Sequence, residues 1–266
     1  MKKASRVFFI LLVLLFLYLP ILILAFYSFT DATTIGSFRD ISLQNYVTLF
    51  STPELVEMII STLLLAIGSA VIATILGTVG AIGSFYSKKS VSSVISTMNQ
   101  VPVVNADVVT GFSICILLVV VFGVSKDTFI PLVVGHVVLS APFVYLSVIP
   151  KLKQMDQSIY EAALDLGATP AVALKKVVLP QIISGVASGF ALAITLSLDD
   201  YFVATYTKPA TFDTISTYVV NATKGSQTSI KTALWALSTV IFLVVILVVV
   251  LMNLQARKAE KERGSL

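Results

Sequence analysis

Six long apolar segments constrain this chain more than any other feature of its sequence. Each approaches or exceeds the length of about 20 mostly apolar residues that an α-helix needs to cross a bilayer. The segments are residues 7–29, 58–86, 101–123, 128–149, 181–205 and 232–254. They predict an all-α integral membrane protein with six transmembrane helices. Only 12% of the residues are charged, against about 25% in a typical soluble domain, which agrees with that prediction.

The basic residues predict the orientation of the chain in the membrane. Thirteen of the 18 lysines and arginines fall in the N-terminus, in alternate loops and in the C-terminal tail 255–266, and five fall on the opposite side. Because cytoplasmic loops carry the excess of Lys and Arg, both termini are predicted to be cytoplasmic. The net charge of +4 is therefore assigned to membrane orientation rather than to nucleic-acid binding.

The first apolar segment is interpreted as a retained span and not as a cleaved signal peptide. Signal-peptide cores run over about 7–15 residues and end at small residues. Segment 7–29 is longer and shows no such cleavage site. Residues 1–57 are thus taken as the first helix with an outer loop, and residues 58–254 as the core of the bundle. The outer stretch 206–231 is too apolar for a free loop and is expected to fold back against that core.

A spaced motif lies in the cytoplasmic stretch 151–180, between the fourth and fifth spans. It consists of Glu161-Ala162-Ala163, three residues, Gly167, nine residues, and then Val177-Val178-Leu179-Pro180. The local pattern predicts a short helix with an apolar stripe, formed by Ile159, Ala162, Ala163 and Leu166. Gly167 is suited to a left-handed helix stop. Thr169 and Pro170 are suited to the cap and the first turn of a second helix.

This spacing resembles the EAA loop of bacterial ABC-importer permeases, with valine in place of isoleucine at Val177. The alternative is an ordinary amphipathic connector lying on the membrane surface. The resemblance implies the type I ABC-importer permease bundle, in a bacterial inner membrane. It also implies that Glu161, Ala162, Ala163, Gly167, Leu179 and Pro180 belong to a loop that couples the bundle to an ATPase. The implied partners are an ABC ATPase homodimer on the cytoplasmic face, a second homologous permease and an extracytoplasmic substrate-binding protein.

Further residues resemble one subfamily, the C-type permeases of spermidine and putrescine importers. They are the stretches 43–50 and 77–81, and Ser197-Leu198-Asp199-Asp200 in the fifth span. The outer stretch 224–234 departs from that pattern, since it lacks the Pro and Asn-Ala expected there. Iron-type or thiamine-type importers therefore stay as alternatives for the substrate. An ion-coupled secondary transporter is a further alternative, although no internal repeat is visible.

Carboxylates and tyrosines are the candidate residues for the path of a cationic substrate. Asp199 and Asp200 are placed near the outer end of the fifth span, and Asp107 near the cytoplasmic start of the third. Tyr201, Tyr206 and Tyr218 add aromatic faces for cation–π contacts. Adjacent helical positions differ by about 100°, so only one of Asp199 and Asp200 is expected to face the path, and the sequence leaves open which.

Enzyme chemistry and cofactor binding are not predicted. The chain has no G-x-x-x-x-G-K-[ST] phosphate loop, so ATP and Mg²⁺ are expected to be bound by partner ATPase subunits. No residues show metal-ligand spacing, and the single histidine, His136, is interpreted as a satisfied core residue. Cys115 is interpreted as a buried free thiol. The glycines of the second and fifth spans are assigned to close helix packing; they are Gly68, Gly77, Gly80, Gly83, Gly185 and Gly189.

Overall fold

The computed structural model describes residues 3–32, 36–37, 40–224, 232–243, 246 and 250. These residues form helices joined by turns, with one isolated β-bridge between Thr30 and Ile41. The predicted all-α class is confirmed. The chain divides into two compact units, of which one is Met58–Tyr218 and the other combines Met1–Glu57 with Val219–Leu266.

The unit that combines the two ends of the chain contains a long apolar helix, α1 (Lys3–Ser28), and a short one, α2 (Gln44–Ser51). A third helix, α12 (Thr232–Leu243), follows later in the chain. Aromatic rings join α1 to α12, with Tyr18 at 6.5 Å from Phe242 and Tyr27 at 5.9 Å from Trp235. The predicted tail 255–266 lies outside the described residues.

The central unit is built from helices that begin and end as follows. They are α3 (Pro53–Tyr86, entering from the other unit), α4 (Lys89–Val104), α5 (Asp107–Cys115), α6 (Ile130–Gln154), α7 (Gln157–Asp165), α8 (Pro170–Ala173), α9 (Leu179–Asp199), α10 (Phe202–Thr207) and α11 (Ile215–Lys224, leaving for the other unit). π-helical turns continue α5 through Ile116–Val121 and join α8 to α9 through Leu174–Val178. Cys115, a free thiol, is half-buried rather than buried.

The number of spans is lower in the described residues than the predicted six. Four helical stretches are long and apolar enough to cross a membrane, namely Val7–Ser28, Pro53–Tyr86, Ile130–Gln154 and Pro170–Asp199. The helix pair Lys89–Val104 and Asp107–Val121 would make a fifth, but it is bent by 105°. The predicted sixth span is described as a helix over Thr232–Leu243, and its remainder lies largely outside the described residues.

The bend between α4 and α5 replaces the straight third span that the hydropathy predicts. Pro102 removes a backbone donor in the last turns of α4, and Asn105 and Ala106 are extended, with ψ of 147° and 135°. Asn105 Nδ2 donates a 3.0 Å hydrogen bond to Thr110 Oγ1 across the bend. An apolar window cannot reveal such a break, because it averages the hydropathy of the residues on both sides.

Glycines set the close packing of α6 against its neighbours. A Cβ on Gly77 of α3 would lie 2.7 Å from Val144 Cβ, and one on Gly185 of α9 would lie 2.9 Å from Ser147 O. These contacts confirm the predicted packing role for Gly77 and Gly185. The prediction is wrong for Gly68 and Gly83, since within the described part of the chain no atom lies within 4 Å of a Cβ built on either.

The stretch after α10 folds back on the central unit as predicted. The backbone N–H of Ile215 donates to Thr62 Oγ1 at 3.1 Å, and Ser216 Oγ donates to Leu198 O at 2.9 Å. The ring of Phe212 lies 5.1 Å from that of Phe129. The later part of this stretch, residues 225–231, is outside the described residues.

Candidate functional site: a helical loop and an acidic cavity

The loop between α6 and α9 has the predicted helix–turn–helix form. Asp156 caps α7, because its Oδ1 accepts a 3.0 Å hydrogen bond from the N–H of Ser158. Hydrogen bonds from the side chain and the backbone of Ser158 hold the pKa of Asp156 below its usual range. Thr169 caps α8 through its Oγ1, which accepts from the N–H of Val172 at 3.4 Å, and Pro170 occupies the first turn.

Gly167 ends α7 in the left-handed conformation, with φ of +86°. Its N–H donates to Leu164 O at 2.9 Å, and the N–H of Ala168 donates to Ala163 O at 3.0 Å. These bonds satisfy carbonyls that the helix end would otherwise leave without partners. The predicted stop at Gly167 is confirmed, and it turns the chain sharply between the two short helices.

The apolar stripe of α7 mostly faces outward. Ile159, Ala162 and Leu166 are exposed, Leu166 by 89%. The opposite side packs inward through Tyr160, whose ring lies 4.8 Å from that of Tyr86. Glu161 is exposed as well, whereas Leu179 and Pro180 lie in the first turn of α9. An apolar face displayed on a charged loop is typical of a protein-binding surface.

A second candidate site is a cavity of about 280 Å³ at the C-terminal end of α9. Its polar lining consists of three carboxylates and one phenol, those of Asp107, Asp199, Asp200 and Tyr201. Its apolar lining includes Leu139 and Phe143 of α6. Three acids around one cavity create a negative potential that would attract a cation.

Asp107 lies elsewhere than the sequence predicts. It begins α5, beyond the whole of α4, and shares the cavity with Asp199 instead of lying near the cytoplasmic start of a span. The prediction is wrong because the third span was taken to start at Val101, although its helix already starts at Lys89. The break after Val104 then carries Asp107 to the end of α9.

Asp199 and Asp200 both line the cavity but occupy different environments. The helix ends at Asp199, which is exposed, while Asp200 is extended and buried. Asp200 caps α10, since its Oδ1 accepts from the N–H of Val203 at 3.1 Å and its Oδ2 from the N–H of Ala204 at 2.7 Å. The assumption of one continuous helix through Thr205 is wrong, because this cap starts a separate helix.

The three candidate tyrosines are not brought together. Tyr201 lines the acidic cavity. The ring of Tyr206 instead packs on Phe112 at 5.7 Å. Tyr218 is half-buried in α11, and its N–H donates to Thr214 O at 2.9 Å. Of the predicted aromatic groups, Tyr201 alone is part of the lining of this cavity.

Buried polar residues beside the cavity were not singled out as a group by the sequence. His136 Nδ1 lies 2.7 Å from Ser197 Oγ, and Ser197 Oγ lies 3.3 Å from Ser69 Oγ. The interpretation of His136 as a satisfied core residue is half right, because its Nε2 has no hydrogen-bond partner in the described structure. The signal that could have found the group is the occurrence of polar side chains inside three apolar spans.

Comparison with protein families and known proteins places these features in context. The model for "binding-protein-dependent transport system inner membrane component" matches residues 73–261. The spermidine/putrescine transport system permease protein PotC of Haemophilus influenzae is 30% identical over 250 residues, covering 94% of this chain and 95% of that protein. The putrescine transport system permease protein PotI of Escherichia coli K12 is 32% identical over 214 residues, covering 77% and 75%.

Solved structures share the fold at low identity. A chain of a bacterial ABC transporter involved in the import of the acidic polysaccharide alginate superposes with a TM-score of 0.73. It is 20% identical, and the match covers 96% of this chain and 94% of that one. A chain of an amino acid ABC transporter superposes with a TM-score of 0.57 at 20% identity, covering 80% and 97%.

Proposed function

This chain belongs to the family of binding-protein-dependent transport system inner membrane components, and from that premise we propose that it is the permease subunit of a polyamine importer. It is a multi-pass membrane component of an ABC transporter and not an enzyme. The proposal extends to its partners and to its place in a bacterial inner membrane, with both termini in the cytoplasm.

One observation carries the substrate proposal, namely the convergence of Asp107, Asp199 and Asp200 on one cavity. Polyamines are flexible chains with several ammonium groups, which need carboxylates spaced along their path. Tyr201 adds an aromatic face in the same lining, and such a contact contributes about 0.5–2 kcal/mol. The similar permeases are named for spermidine and putrescine, which supports the same class of substrate.

The fold alone does not select a cation. The structural relative that imports alginate handles an acidic polysaccharide on a similar backbone. Charge selection must therefore come from side chains and from the substrate-binding protein that delivers the solute. In this chain the side chains at the end of α9 are acidic, which favours a cation over an anion.

The cytoplasmic loop supports the proposed coupling to an ATPase. Its outward apolar face, with Ile159 and Leu166, suits docking into a cleft of a nucleotide-binding subunit. Two such subunits would take two loops, one from this chain and one from a second, homologous permease. ATP binding would close the ATPase dimer, move the loops and open the bundle outward to receive substrate from the extracytoplasmic binding protein.

The test uses the intact complex, reconstituted in liposomes with its binding protein. We expect spermidine or putrescine to stimulate ATP hydrolysis and to be taken up, whereas iron and thiamine do neither. If iron or thiamine stimulated ATP hydrolysis and polyamines did not, the proposed substrate would be wrong, while the family assignment would stand. Labelling with an impermeant reagent at cysteines introduced at Ser90 and Gln154, from the cytoplasmic side only, would test the orientation.

A further inference from the structure

A chain of polar side chains crosses the interior of the central unit. Ser69 of α3, His136 of α6 and Ser197 of α9 are each buried, and Asp200 follows at the end of α9. Their links measure 3.3 Å from Ser69 to Ser197, 2.7 Å from Ser197 to His136 and 3.7 Å from His136 Nε2 to Asp200 Oδ2. The chain therefore ties three helices to the residue that caps α10.

The hydrogen-bond donors in this network of side chains can be assigned by starting from Ser69. Ser69 Oγ donates to Leu65 O at 2.7 Å, so its one proton is used. If the 3.3 Å contact between the two serines is a hydrogen bond, the hydroxyl of Ser197 donates to Ser69, and Nδ1–H of His136 then donates to Ser197. A neutral imidazole with its proton on Nδ1 has a lone pair on Nε2.

That lone pair would face a carboxylate. The side chains of His136 and Asp200 are 0% and 3% exposed, and Nε2 has no hydrogen-bond partner in the described structure. Two acceptors that face each other in a buried site repel, and leaving them so is unfavourable. One proton between Nε2 and Oδ2 turns the contact into a charge-assisted hydrogen bond once the 3.7 Å gap closes slightly.

A displacement of Asp200 would also affect the residues that line the acidic cavity. Asp200 starts α10, and Val203 of α10 is in close contact with both adjoining helices. A Cβ on Gly111 would lie 2.8 Å from Val203 Cα, and one on Gly135 would lie 2.7 Å from Val203 Cγ1. Movement of Asp200 would therefore shift α10, which packs between α5 and α6. It would also shift Tyr201, which lies in the break between α9 and α10.

We propose that His136 is a positioning residue for translocation, which holds Asp200 at the break between α9 and α10 through one proton shared by Nε2 and the carboxylate. The proposal rests on the proposed function only in that this break lines the substrate path. When the proton is bound, the 3.7 Å gap between Nε2 and Oδ2 closes slightly and the hydrogen bond holds the break in place. When it leaves at higher pH, Nε2 and the carboxylate repel and α10 loosens.

Other titratable groups face Asp200 and must be separated from His136 in any test. Asp107 approaches from α5, and Asp199 and Tyr201 adjoin Asp200 in its own segment. The acids raise the negative charge around the carboxylate and favour retention of the proton. From α3 the network presents a hydroxyl, that of Ser69, which does not titrate in this range.

The first measurement is ¹⁵N NMR of histidine in the labelled complex, purified without a histidine tag. His136 is the only histidine of this chain, so subtracting the spectrum of a His136→Gln complex isolates its signals. We expect a protonated Nδ1 and a hydrogen-bonded Nε2–H that is lost as pH rises. A neutral ring with its proton on Nε2 at all pH values, unchanged by Asp200→Asn, would overturn the proposal.

The second measurement is the pH profile of uptake in liposomes. We expect the wild-type rate to fall about threefold or more between about pH 6 and about pH 8. His136→Gln should transport with a flat profile, since its amide N–H donates to Asp200 without titrating, and His136→Phe should be poor at every pH. Asp200→Asn should also flatten the profile, because its side chain does not titrate, and should lower the rate, because an amide has one oxygen and loses one of the two bonds to Val203 N–H and Ala204 N–H.

The control is Asp199→Asn, which should lower the rate and keep a pH dependence, with its midpoint at a lower pH because one acid that favours the proton is lost. A wild-type pH profile in His136→Gln would contradict the proposal. The NMR experiment requires no substrate. It therefore separates failure of the proton site from failure of the polyamine assignment.

Discussion

Gly189 of α9 lies directly against Val144 of α6. A Cβ at Gly189 would stand 3.0 Å from Val144 Cα, which is backbone and cannot move aside alone. The absence of a side chain at Gly189 thus determines how closely these two helices approach.

The first prediction tests that contact. Gly189→Leu should force α9 away from α6 and destabilise the bundle by about 1–3 kcal/mol, because overpacking displaces backbone. Thermal unfolding of the detergent-purified complex would show a lower midpoint. Gly68→Leu is the matched control, since open space surrounds its Cβ position. Equal loss in both variants would contradict the packing role.

A second prediction concerns the substrate path. Asp199→Asn should lower spermidine uptake about tenfold to a hundredfold, as expected from losing an interaction of about 1.5–3 kcal/mol with an ammonium group. The control is Asp127→Asn. Asp127 is an exposed acid of the turn between α5 and α6, so its replacement should leave uptake unchanged. Uptake of labelled spermidine into liposomes measures both. Full uptake by Asp199→Asn combined with Asp107→Asn would rule out this cavity as the path of the cation.

The left-handed stop in the loop between α6 and α9 gives a third prediction. Gly167→Ala should strain the backbone by about 1 kcal/mol, because φ of +86° disfavours any Cβ even though the surrounding space is open. We expect weaker association with the ATPase and normal membrane insertion, measured by co-purification. Gly83→Ala, at a helical site that is equally open, should associate normally. Normal transport by Gly167→Trp would argue against a docking role for this turn.

The exposed leucine of α7 is the subject of the fourth prediction. Leu166→Gln should weaken ATPase binding about tenfold, since it removes most of the roughly 1.5–3 kcal/mol that burial of a leucine contributes. Unfolding of the permease should not change, because Leu166 is 89% exposed. Lys175→Gln, an exposed polar site of the same loop, serves as the control. If Leu166→Gln bound the ATPase as tightly as the control, the apolar face would not be the docking surface.

The sequence by itself determined the helical class, the membrane environment and the helix–turn–helix of the loop at 151–180. These depend on local properties, namely apolar runs, caps at Asp156 and Thr169, and a glycine stop, and each of them acts within a few residues. The packing role of Gly77 and Gly185 was predictable as well. The roles of Gly68 and Gly83 were not, because composition does not say which side of a helix meets a neighbour.

Only the tertiary structure decided which acids share a cavity and which histidine nitrogen lacks a partner. Asp107 and Asp199 are 92 positions apart, and they meet because α4 ends at Val104 and the chain turns by 105°. Asp200 differs from Asp199 because it caps a new helix, which an apolar window reads as a continuation of the old one. Such breaks arise from the balance between backbone hydrogen bonds and packing against other helices, and that balance is not encoded within any one segment.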